Sequence, residues 1–552
     1  MGKKVSIISI LLLLGCLSIL QAQSNYLTDG SGGIKSNLDI PYLQKKGETV
    51  QLMVDGHPYL ILGGELHNSS ASSLEYMKPI WERLAKANIN TVLAPVSWEL
   101  IEPKEGEFDF HLVDGMIEAA RRHNLHLVFL WFGSWKNGAS TYVPGWVKKD
   151  QERFPLVTNK EGESLDILTP LGENTLQADA HAFARLMQHI KEVDGKKQTV
   201  IMMQVENEVG VFGDSRDWSQ IADKSFKSNV PIRLTQYLQK NKNELRPPIY
   251  KLWKKNGFKT KGSWSEIFGK SVATNELFMA WHFSHFMNQM VKAGKEKYAL
   301  PMYVNAWIVQ PDDKEPGDYP AGGPQAHVHD IWMAGAPDID FYVPDIYLPN
   351  FAEITQHYKE PKKAFFIPES FAGFEGASNA FYAIGACHAL GYAPFGIDGI
   401  EALETNDITQ AFKVLQQLSS FILKAQQEGT IAAVALNKKH PKANIPLGDY
   451  ILHVKRKHGW DTTQVTDRGY ALMIALSSDT YLIAGDNFQI DFSPQEGNNE
   501  VGFIYIEEGT IKEGKWYAGR RLNGDEISSF TGNVVKVKNG SVIRKVKVYQ
   551  YE

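Results

Sequence analysis

Short hydrophobic runs alternate with amphipathic stretches between residues 49 and 427. Each run is almost wholly apolar, as strands covered by helices on both faces are, and the eight runs are Tyr59–Gly63, Thr91–Val96, Leu125–Trp131, Val200–Val205, Pro301–Asn305, Phe341–Pro344, Ala364–Pro368 and Tyr392–Gly396. After each run, apolar residues recur with the helical period. Strand–helix pairs in this alternation predict an α/β fold, a closed (β/α)₈ TIM barrel rather than an open doubly wound sheet.

Two stretches depart from this alternation. Residues 214–271 are too long for a simple crossover and predict a helical insertion after the fourth strand, at the barrel face where active sites lie. Residues 428–552 contain short alternating runs separated by Gly, Asn and Asp, which predict a C-terminal antiparallel β-sandwich. Residues 23–48 show neither pattern, so we expect an irregular N-terminal lead before a barrel that spans 49–427.

Residues 1–22 are typical of a secretory signal peptide. An apolar run, Ile7–Leu20, follows a positive start, and a small-residue cleavage pattern ends at Ala22. The run is shorter than the ~20 residues that span a bilayer, so we expect no stable membrane span. The segment ending in Cys16 resembles a lipoprotein box, but the apolar run continues past it and favours cleavage after Ala22. We expect a periplasmic or secreted protein.

The composition excludes several kinds of partner. A formal net charge of -5 over 552 residues does not suit a nucleic-acid polyanion. No Cys/His spacing is typical of a zinc site. Gly63-Gly64-Glu65 stands where a dinucleotide-binding fold has its glycine-rich turn. We therefore expect no metal, no cofactor and no nucleic-acid partner, and the sequence leaves the oligomeric state open.

Two glutamates follow strands on opposite sides of the predicted barrel. Glu208 comes just after the fourth strand and Glu369 directly after the seventh. Active sites in these barrels lie at the C-terminal ends of the strands, so the two carboxyl groups are expected to face each other across the mouth. Glycosidases use such a pair, ~5–5.5 Å apart in retaining enzymes and ~6.5–9.5 Å apart in inverting ones. Alternatively, both carboxylates are structural partners of Lys or Arg.

These positions resemble the clan of retaining barrel glycosidases. In that clan the residue matching Asn207 contacts the sugar 2-hydroxyl, the one matching Glu208 is the acid/base, and the one matching Glu369 is the nucleophile. A further stretch is similar to galactosidases of glycoside hydrolase families 35 and 42: Trp98-Glu99-Leu100-Ile101-Glu102-Pro103-Lys104-Glu105-Gly106-Glu107-Phe108-Asp109-Phe110. The region from Leu66 to Trp146 is most similar to family 35, in a bacterial branch with a C-terminal β-sandwich.

The resemblance implies a glycoside hydrolase, a retaining exo-β-galactosidase that removes terminal β-galactosides from plant-derived oligosaccharides by double displacement. Its partner would be an oligosaccharide substrate. Aromatic side chains near strand ends stack on the apolar face of a sugar. We expect Asn207, Trp98, Tyr342 and Trp307 to bind the substrate, and Tyr342 also resembles the clan's strand-six tyrosine near the nucleophile.

Departures from the family 35 pattern keep other functions open. Pro95 and Glu99 stand where the family has an aromatic residue and Asn, and Gly133-Ser134-Trp135 replaces Ala-Glu-Trp at the third strand. The alternatives are the same mechanism on a β-arabinopyranoside, β-fucoside or β-mannoside, a non-catalytic sugar-binding protein, or a metal-dependent hydrolase. Three further polar residues near strand ends would bind sugar hydroxyls or make structural contacts: His67, Asp345 and Asp398.

Overall fold

The computed structural model describes residues 40–308, 314–360, 363–456, 468–529, 532–537 and 540–552. The expected signal peptide and residues 23–39 of the expected lead lie outside these ranges. The rest of the lead is not irregular, because Tyr42–Lys46 pairs antiparallel with Thr49–Val54, which pairs with His57–Tyr59. These three strands form a small sheet that precedes the barrel.

Parallel strands form the ring of the barrel. Seven segments make regular strands: Ile61–Glu65, Thr91–Ser97, His126–Lys136, Val200–Asn207, Met302–Trp307, Phe341–Asp345 and Gly391–Tyr392. The first six are neighbours in chain order, and Gly391–Tyr392 pairs with the first. The predicted (β/α)₈ barrel is therefore confirmed.

The seventh and eighth positions of the ring are less regular than their hydrophobic runs suggest. Residues 364–368 pair through a single parallel bridge, from Ile367 to Tyr392. The Ile346 amide donates to the Glu369 carbonyl at 3.0 Å and closes the ring on the other side. The eighth strand ends early because Gly396, with a φ of 65°, begins a 3₁₀ turn.

Helices cover the outside of the ring and pack against it through one continuous hydrophobic layer. They span Leu74–Met77, Ile80–Lys86, Trp98–Ile101, His111–Arg122, Gly145–Lys149, Glu173–Asp194, Val272–Lys297, His329–Gly335, Phe351–Tyr358, Gly373–Gly385 and Asp407–Glu428. The expected insertion after the fourth strand contains four further helices, Gln220–Lys227, Ile232–Lys240, Pro247–Lys255 and Trp264–Phe268. A hairpin of Leu156–Thr158 and Ser164–Leu168 follows the third strand.

The inside of the barrel has its own apolar cluster, which includes Leu93, Val128, Leu130 and Phe366. Leu52 and Val54 of the N-terminal sheet belong to the same cluster. The N-terminal sheet therefore packs against the barrel interior. Burial of these side chains is the main force that holds the barrel together.

The C-terminal region is the predicted antiparallel β-sandwich. One sheet contains Ile431–Leu436, Gly469–Ala475, Thr480–Asp486, Val542–Tyr551, Glu500–Lys512 and Lys515–Leu522, and the other contains Lys442–Leu447, Tyr450–Arg456, Phe488–Pro494 and Val535–Val537. A hydrophobic cluster with residues from both sheets lies between them. A short pair, Ser528–Ser529 with Gly532–Asn533, completes the region.

The six-stranded sheet of the sandwich packs on the last two barrel helices. Ala433 and Leu472 of this sheet lie against Gly385, where an added Cβ would come within 2.5 Å of the Ala433 Cβ. Arg468 forms an ion pair with Glu375 at 2.8 Å. Within the described ranges, no helix combines the length and the apolar character needed to cross a membrane.

Candidate active site

Glu208 follows the fourth barrel strand in a left-handed stretch of backbone. The φ angle is 58° at Glu206 and 47° at Glu208. Residues other than glycine rarely adopt such angles, and surrounding contacts must hold them there. The Glu208 amide donates to Asn305 Oδ1 of the fifth strand at 3.0 Å. The side chain of Glu208 is 7% exposed and lies near the carboxyl groups of the sixth and seventh positions.

The side chain of Glu206 makes its contacts with the neighbouring third strand. Its carboxylate accepts hydrogen bonds from three successive backbone amides, those of Gly133 at 3.2 Å, Ser134 at 3.0 Å and Trp135 at 2.8 Å. Burial, and then the nearby charge of Asp179, raise the pKa of Glu206 well above its usual range. Residues two apart on a regular strand have their side chains on the same face. The left-handed backbone explains why the side chains of Glu206 and Glu208 point in different directions.

Glu369 is fixed by contacts with the end of the sixth strand. The Tyr347 hydroxyl donates to Glu369 Oε1 at 2.7 Å. Ser370 Oγ donates to the Ile346 carbonyl at 2.7 Å, next to the backbone bond between Ile346 and Glu369. Glu369 Oε2 is buried and has no hydrogen-bond partner among the described residues. One carboxyl oxygen is thus held, and the other is free to meet a ligand.

Three carboxyl groups converge at the mouth of the barrel. One oxygen each from Glu208, Asp345 and Glu369 lie within 4.8 Å of one another, and all three residues are buried. This separation is below the ~6.5 Å minimum that leaves room for a water between two carboxyl groups. Glu208 and Glu369 therefore reach the same small volume, as expected from their positions at opposite strand ends.

Burial and mutual repulsion favour protonated carboxyl groups in this cluster. Burial, and next the charge of Glu369, raise the pKa of Glu208 to about 7. The same two causes raise the pKa of Asp345 well above its usual range, and the charge of Glu208 raises it further. A buried carboxylic acid that stays protonated near neutral pH is able to donate a proton in catalysis.

Amide side chains connect the fourth, fifth and sixth strands below the carboxyl groups. Asn305 Nδ2 donates to Asp345 Oδ2 at 2.6 Å and to Asn207 Oδ1 at 3.1 Å. Asn207 Nδ2 donates to Asn137 Oδ1 at 3.0 Å, and Gln204 Nε2 donates to Asn207 Oδ1 at 3.1 Å. Asn207 therefore lies beside the carboxyl cluster with its amide oriented by three neighbours. Its contact with a sugar stays a prediction.

Trp98 does not lie in the cleft, and its prediction as a substrate-binding residue was wrong. Its side chain is 0% exposed, and its indole donates to Glu102 Oε2 at 2.8 Å. It also packs edge-on against Trp146. The short helix that begins at Trp98 turns the side chain into the layer between strands and helices, out of reach of a ligand.

The prediction for Tyr342 was wrong for a related reason. Its hydroxyl donates to the Ala336 carbonyl at 3.2 Å, and its ring packs against His329 and Trp332 of a covering helix. Its strand neighbours Phe341 and Val343 face the interior, so Tyr342 faces outward. Tyr347, five residues later, makes the contact with Glu369 that the resemblance assigned to Tyr342.

Trp307 ends the fifth strand and is half-buried. It stacks on Phe212, whose side chain is 46% exposed, with ring centres 5.9 Å apart. Gln325 Nε2 donates to its carbonyl oxygen. The side chain shares a strand face with Asn305 of the candidate site. A role for Trp307 in sugar binding stays a prediction that this position supports.

Asp398 makes structural contacts. Its carboxylate accepts hydrogen bonds from the His67 amide at 2.9 Å and from Ser70 Oγ at 2.7 Å, and it lies 3.1 Å from His67 Nδ1. These bonds hold the turn after the first strand.

The sequence analysis assigned no function to two charged residues at the site. Glu65 ends the first strand and Lys136 ends the third, and both are buried beside the carboxyl cluster. A charged residue within an otherwise apolar strand run was the available signal. The irregular pairing between Trp131 and Lys136 prevents a simple count of strand faces from placing Lys136.

The carboxyl cluster is also the group of side chains best arranged to hold a cation. Its ligand atoms would be one oxygen each from Glu208, Asp345 and Glu369. Hard cations such as Mg²⁺ and Ca²⁺ prefer oxygen ligands of this kind. Burial favours the protonated forms of Glu208 and Asp345, whereas a bound cation would favour their charged forms. Proton and cation therefore compete for the same oxygens.

Comparison with known proteins relates this site to glycosidases. Residues 70–300 match the glycoside hydrolase family 42 model, described as beta-galactosidase, and residues 408–532 match a domain of unknown function, DUF5597. A beta-galactosidase of Xanthomonas manihotis is 27% identical over 180 residues, which cover 31% of this chain and 27% of that protein. Residues 70–300 are thus similar to family 42 beta-galactosidases, and the chain spans about a quarter of that relative's length.

Two solved beta-galactosidase structures align with part of this chain. The enzyme from Bacillus circulans sp. alkalophilus aligns with a TM-score of 0.45 and 15% identity, over 66% of this chain and 57% of that one. The enzyme from the psychrophilic Marinomonas ef1 aligns with a TM-score of 0.42 and 11% identity, over 66% of this chain and 61% of that one.

Proposed function

We propose that this protein is a retaining exo-β-galactosidase that removes terminal β-galactosides from plant-derived oligosaccharides. The observation that carries the proposal is the convergence of Glu208 and Glu369, whose nearest oxygens lie within 4.8 Å. The family 42 match over residues 70–300 supports hydrolysis of glycosidic bonds. The plant origin of the substrate, export from the cytoplasm and the placement in family 35 are proposals that rest on the sequence alone.

In the first step Glu369 acts as the nucleophile. Its free oxygen, Oε2, attacks the anomeric carbon while Tyr347 holds Oε1. The bond from that carbon to the leaving oxygen breaks, and Glu208 transfers its proton to this oxygen. The pKa of Glu208, raised to about 7, keeps much of it protonated at neutral pH.

In the second step water releases the sugar. Formation of the glycosyl ester removes the charge of Glu369, which is one cause of the raised pKa of Glu208. The pKa of Glu208 then falls, and Glu208 takes a proton from the attacking water. The water oxygen bonds to the anomeric carbon, and Glu369 leaves as a carboxylate. Because both carboxyl groups are more than nine-tenths buried, a terminal sugar suits the site better than a mid-chain one.

Substitution of the two glutamates tests these roles. Glu369→Gln is expected to lower kcat/KM on 4-nitrophenyl β-galactoside by roughly 10⁴-fold or more. Glu208→Ala should lose about 10²–10⁴-fold on a galactosyl disaccharide, but far less on the aryl galactoside, whose leaving group hardly needs a proton. Glu75→Gln, at an exposed surface glutamate, is the matched control and should match wild type.

The stereochemical course and the sugar need a separate measurement. Product NMR should show the β-anomer first, whereas an α-anomer would reject double displacement. A panel of aryl β-arabinopyranoside, β-fucoside and β-mannoside tests the alternatives that arise from Pro95, Glu99 and Ser134. Sugar binding without any turnover would indicate a non-catalytic protein. Loss of activity in chelator, restored by Mg²⁺ or Ca²⁺, would favour a metal-dependent hydrolase.

A further inference from the structure

Two charged side chains at the candidate site have no hydrogen-bond or ion-pair partner among the residues that the structure describes. Glu65 is 1% exposed, and neither of its carboxyl oxygens has a hydrogen-bond partner among the described residues. Lys136 is 6% exposed, and its ammonium group has no hydrogen bond or ion pair within the same ranges. Buried polar groups in native proteins are nearly always paired. Two unpaired groups in one place therefore point to a ligand.

Both side chains are directed toward the barrel interior. Glu65 shares its strand face with Ile61, a member of the interior cluster. The Lys136 ammonium lies 5.1 Å from the ring centre of Phe132, which belongs to the same cluster. Lys136 also lies near enough to stabilise the charged forms of Glu65 and Glu208. The two groups thus border the volume that Glu208 and Glu369 share.

The backbone holds Lys136 firmly in this position. Asn137 and Gly138 have φ angles of 53° and 65°, as the two central residues of a type I′ turn do. The Lys136 amide donates to the Ala139 carbonyl at 2.8 Å across this turn. Asn137 in turn accepts the hydrogen bond from Asn207. The turn therefore fixes the backbone position of Lys136 before any ligand binds.

Other unpaired polar atoms lie around the same volume. Gln204 Oε1, the Tyr303 hydroxyl, Asp345 Oδ1 and Glu369 Oε2 are buried without a hydrogen-bond partner among the described residues. They belong to the fourth, fifth, sixth and seventh positions of the ring, whereas Glu65 and Lys136 add the first and third. A ligand with several hydroxyl groups would pair with many of these atoms at once.

We infer that Glu65 and Lys136 form a hydroxyl-binding pair that recognises the sugar ring attacked by Glu369, an inference that rests on the proposed function. Glu65 binds one or two ring hydroxyls through its two free oxygens, and Lys136 donates to an adjacent hydroxyl. The pair determines which pyranoside is accepted, because a sugar that lacks the matching hydroxyl leaves a buried charged group unpaired.

The surroundings favour a neutral sugar over an acidic one. Lys136 lowers the pKa of both Glu65 and Glu208, whereas the carboxyl groups of Glu369 and Asp345 lie within reach of the same volume. A uronate or sulfate group would meet these carboxyl groups as well as the lysine, and like charges in a buried site are strongly unfavourable. Galactosides are therefore expected to be turned over in preference to galacturonides.

Deoxygenated substrates test the pair directly. In wild type, removal of the hydroxyl that Lys136 binds from 4-nitrophenyl β-galactoside is expected to lower kcat/KM by roughly 100-fold or more. In Lys136→Met, kcat/KM on the parent substrate should already be low, and loss of that one hydroxyl should cost less than about 3-fold. Glu65→Gln should show the same coupling at a different hydroxyl. Lys148→Met, at a half-exposed lysine, is the matched control.

A purely electrostatic role for Lys136 gives a different result. If Lys136 only tuned the pKa of Glu208, then Lys136→Met would shift the pH profile equally on every deoxy substrate, and this would overturn the inference. A preference for 4-nitrophenyl β-galacturonide would overturn it too. Wild type that turns over no glycoside would instead reject the proposed function, and the inference with it.

Thermal unfolding adds a measurement that does not depend on turnover. Because the Lys136 ammonium makes no hydrogen bond or ion pair with the described residues, Lys136→Met should keep or raise the Tm while it lowers activity. A sugar-binding role predicts this combination, whereas a structural role predicts a lower Tm. A marked fall in Tm, with no hydroxyl-specific coupling in Glu65→Gln, would overturn the inference.

Discussion

At the scale of single residues, Glu208 shows how surroundings raise the pKa of a common side chain to near neutral pH. Its carboxyl group is buried, lies within 4.8 Å of Glu369, and has its backbone held by Asn305. Burial acts first and the charge of Glu369 second, and both raise its pKa to about 7. Lys136 opposes these effects but does not cancel them.

This shift predicts a pH dependence. A group whose pKa is raised loses its proton near that value, so kcat/KM on a galactosyl disaccharide should fall as the pH rises through about 7. The decline should vanish in Glu208→Ala, whose residual activity has no proton to lose at this position. A basic limb that survives in this variant would assign the titration to another group.

Sequence reasoning succeeded at some residues and failed at others for an identifiable reason. The strand-end rule located Glu208 and Glu369 because it needs only the strand order. Trp98 and Tyr342 required knowledge of which face each side chain takes, and Phe341–Pro344 is too uniformly apolar to reveal it. The orientation of Tyr347 depends on the irregular turn after Asp345, which leaves no pattern in the sequence.

At the scale of elements, the fourth strand supports the third as well as the site. Glu206 accepts three amide hydrogen bonds from residues 133–135, and the nearby charge of Asp179 is one cause of its raised pKa. Asp179 receives the indole hydrogen bond of Trp131 at 2.9 Å. The segment that follows carries Lys136 and Asn137, so the Glu206 contacts indirectly fix the position of both.

Glu206→Gln tests this support. An amide nitrogen in place of one oxygen would face backbone amide donors, so at least one buried donor would lose its acceptor. We expect a loss of about 1–3 kcal/mol in the free energy of unfolding, measured by urea denaturation, together with a lower kcat/KM. Glu266→Gln, at a helix cap on the insertion surface, is a control that should spare activity. Unchanged stability and activity in Glu206→Gln would show that residues 133–136 are held by other means.

The hydrophobic pattern predicted which segments form the barrel ring better than it predicted how each one pairs and where it ends. All eight runs lie in the barrel ring, since continuous apolar runs arise when helices cover both faces of a strand. The seventh run makes only an irregular pairing, and the eighth stops at Tyr392, because local hydrogen bonds and the turn at Gly396 override the pattern. The strand Tyr42–Lys46 was missed because its residues are mostly polar and half-exposed.

At the scale of the whole molecule, the sandwich and the barrel meet along a closely packed surface. Gly385 ends a barrel helix directly against Ala433 and Leu472 of the sandwich. This close approach needs a residue without a side chain. The carboxyl cluster draws its residues from the barrel, and the sandwich contributes none of the three.

Two glycine substitutions measure this packing. In a helix, Gly→Ala normally stabilises by about 0.5–1 kcal/mol. At Gly385 the new Cβ would lie 2.5 Å from the Ala433 Cβ, so Gly385→Ala should destabilise by about 1–3 kcal/mol instead. Gly145→Ala, with nothing within 4 Å of its Cβ, is the matched control and should be neutral or stabilising. Equal Tm values for the two variants would mean that the sandwich shifts easily on the barrel.

The N-terminal sheet gives the barrel a sealed base. Leu52 and Val54 fill the interior from one end, and the apolar cluster above them is buried throughout. With this end of the barrel filled, we expect molecules to reach Glu208 and Glu369 from the opposite end, where the strands terminate. Under the proposed mechanism, the leaving group would depart through that end before water enters, and the freed sugar would follow the same route. An alcohol that enters by that route would then compete with water for the glycosyl group of the proposed intermediate.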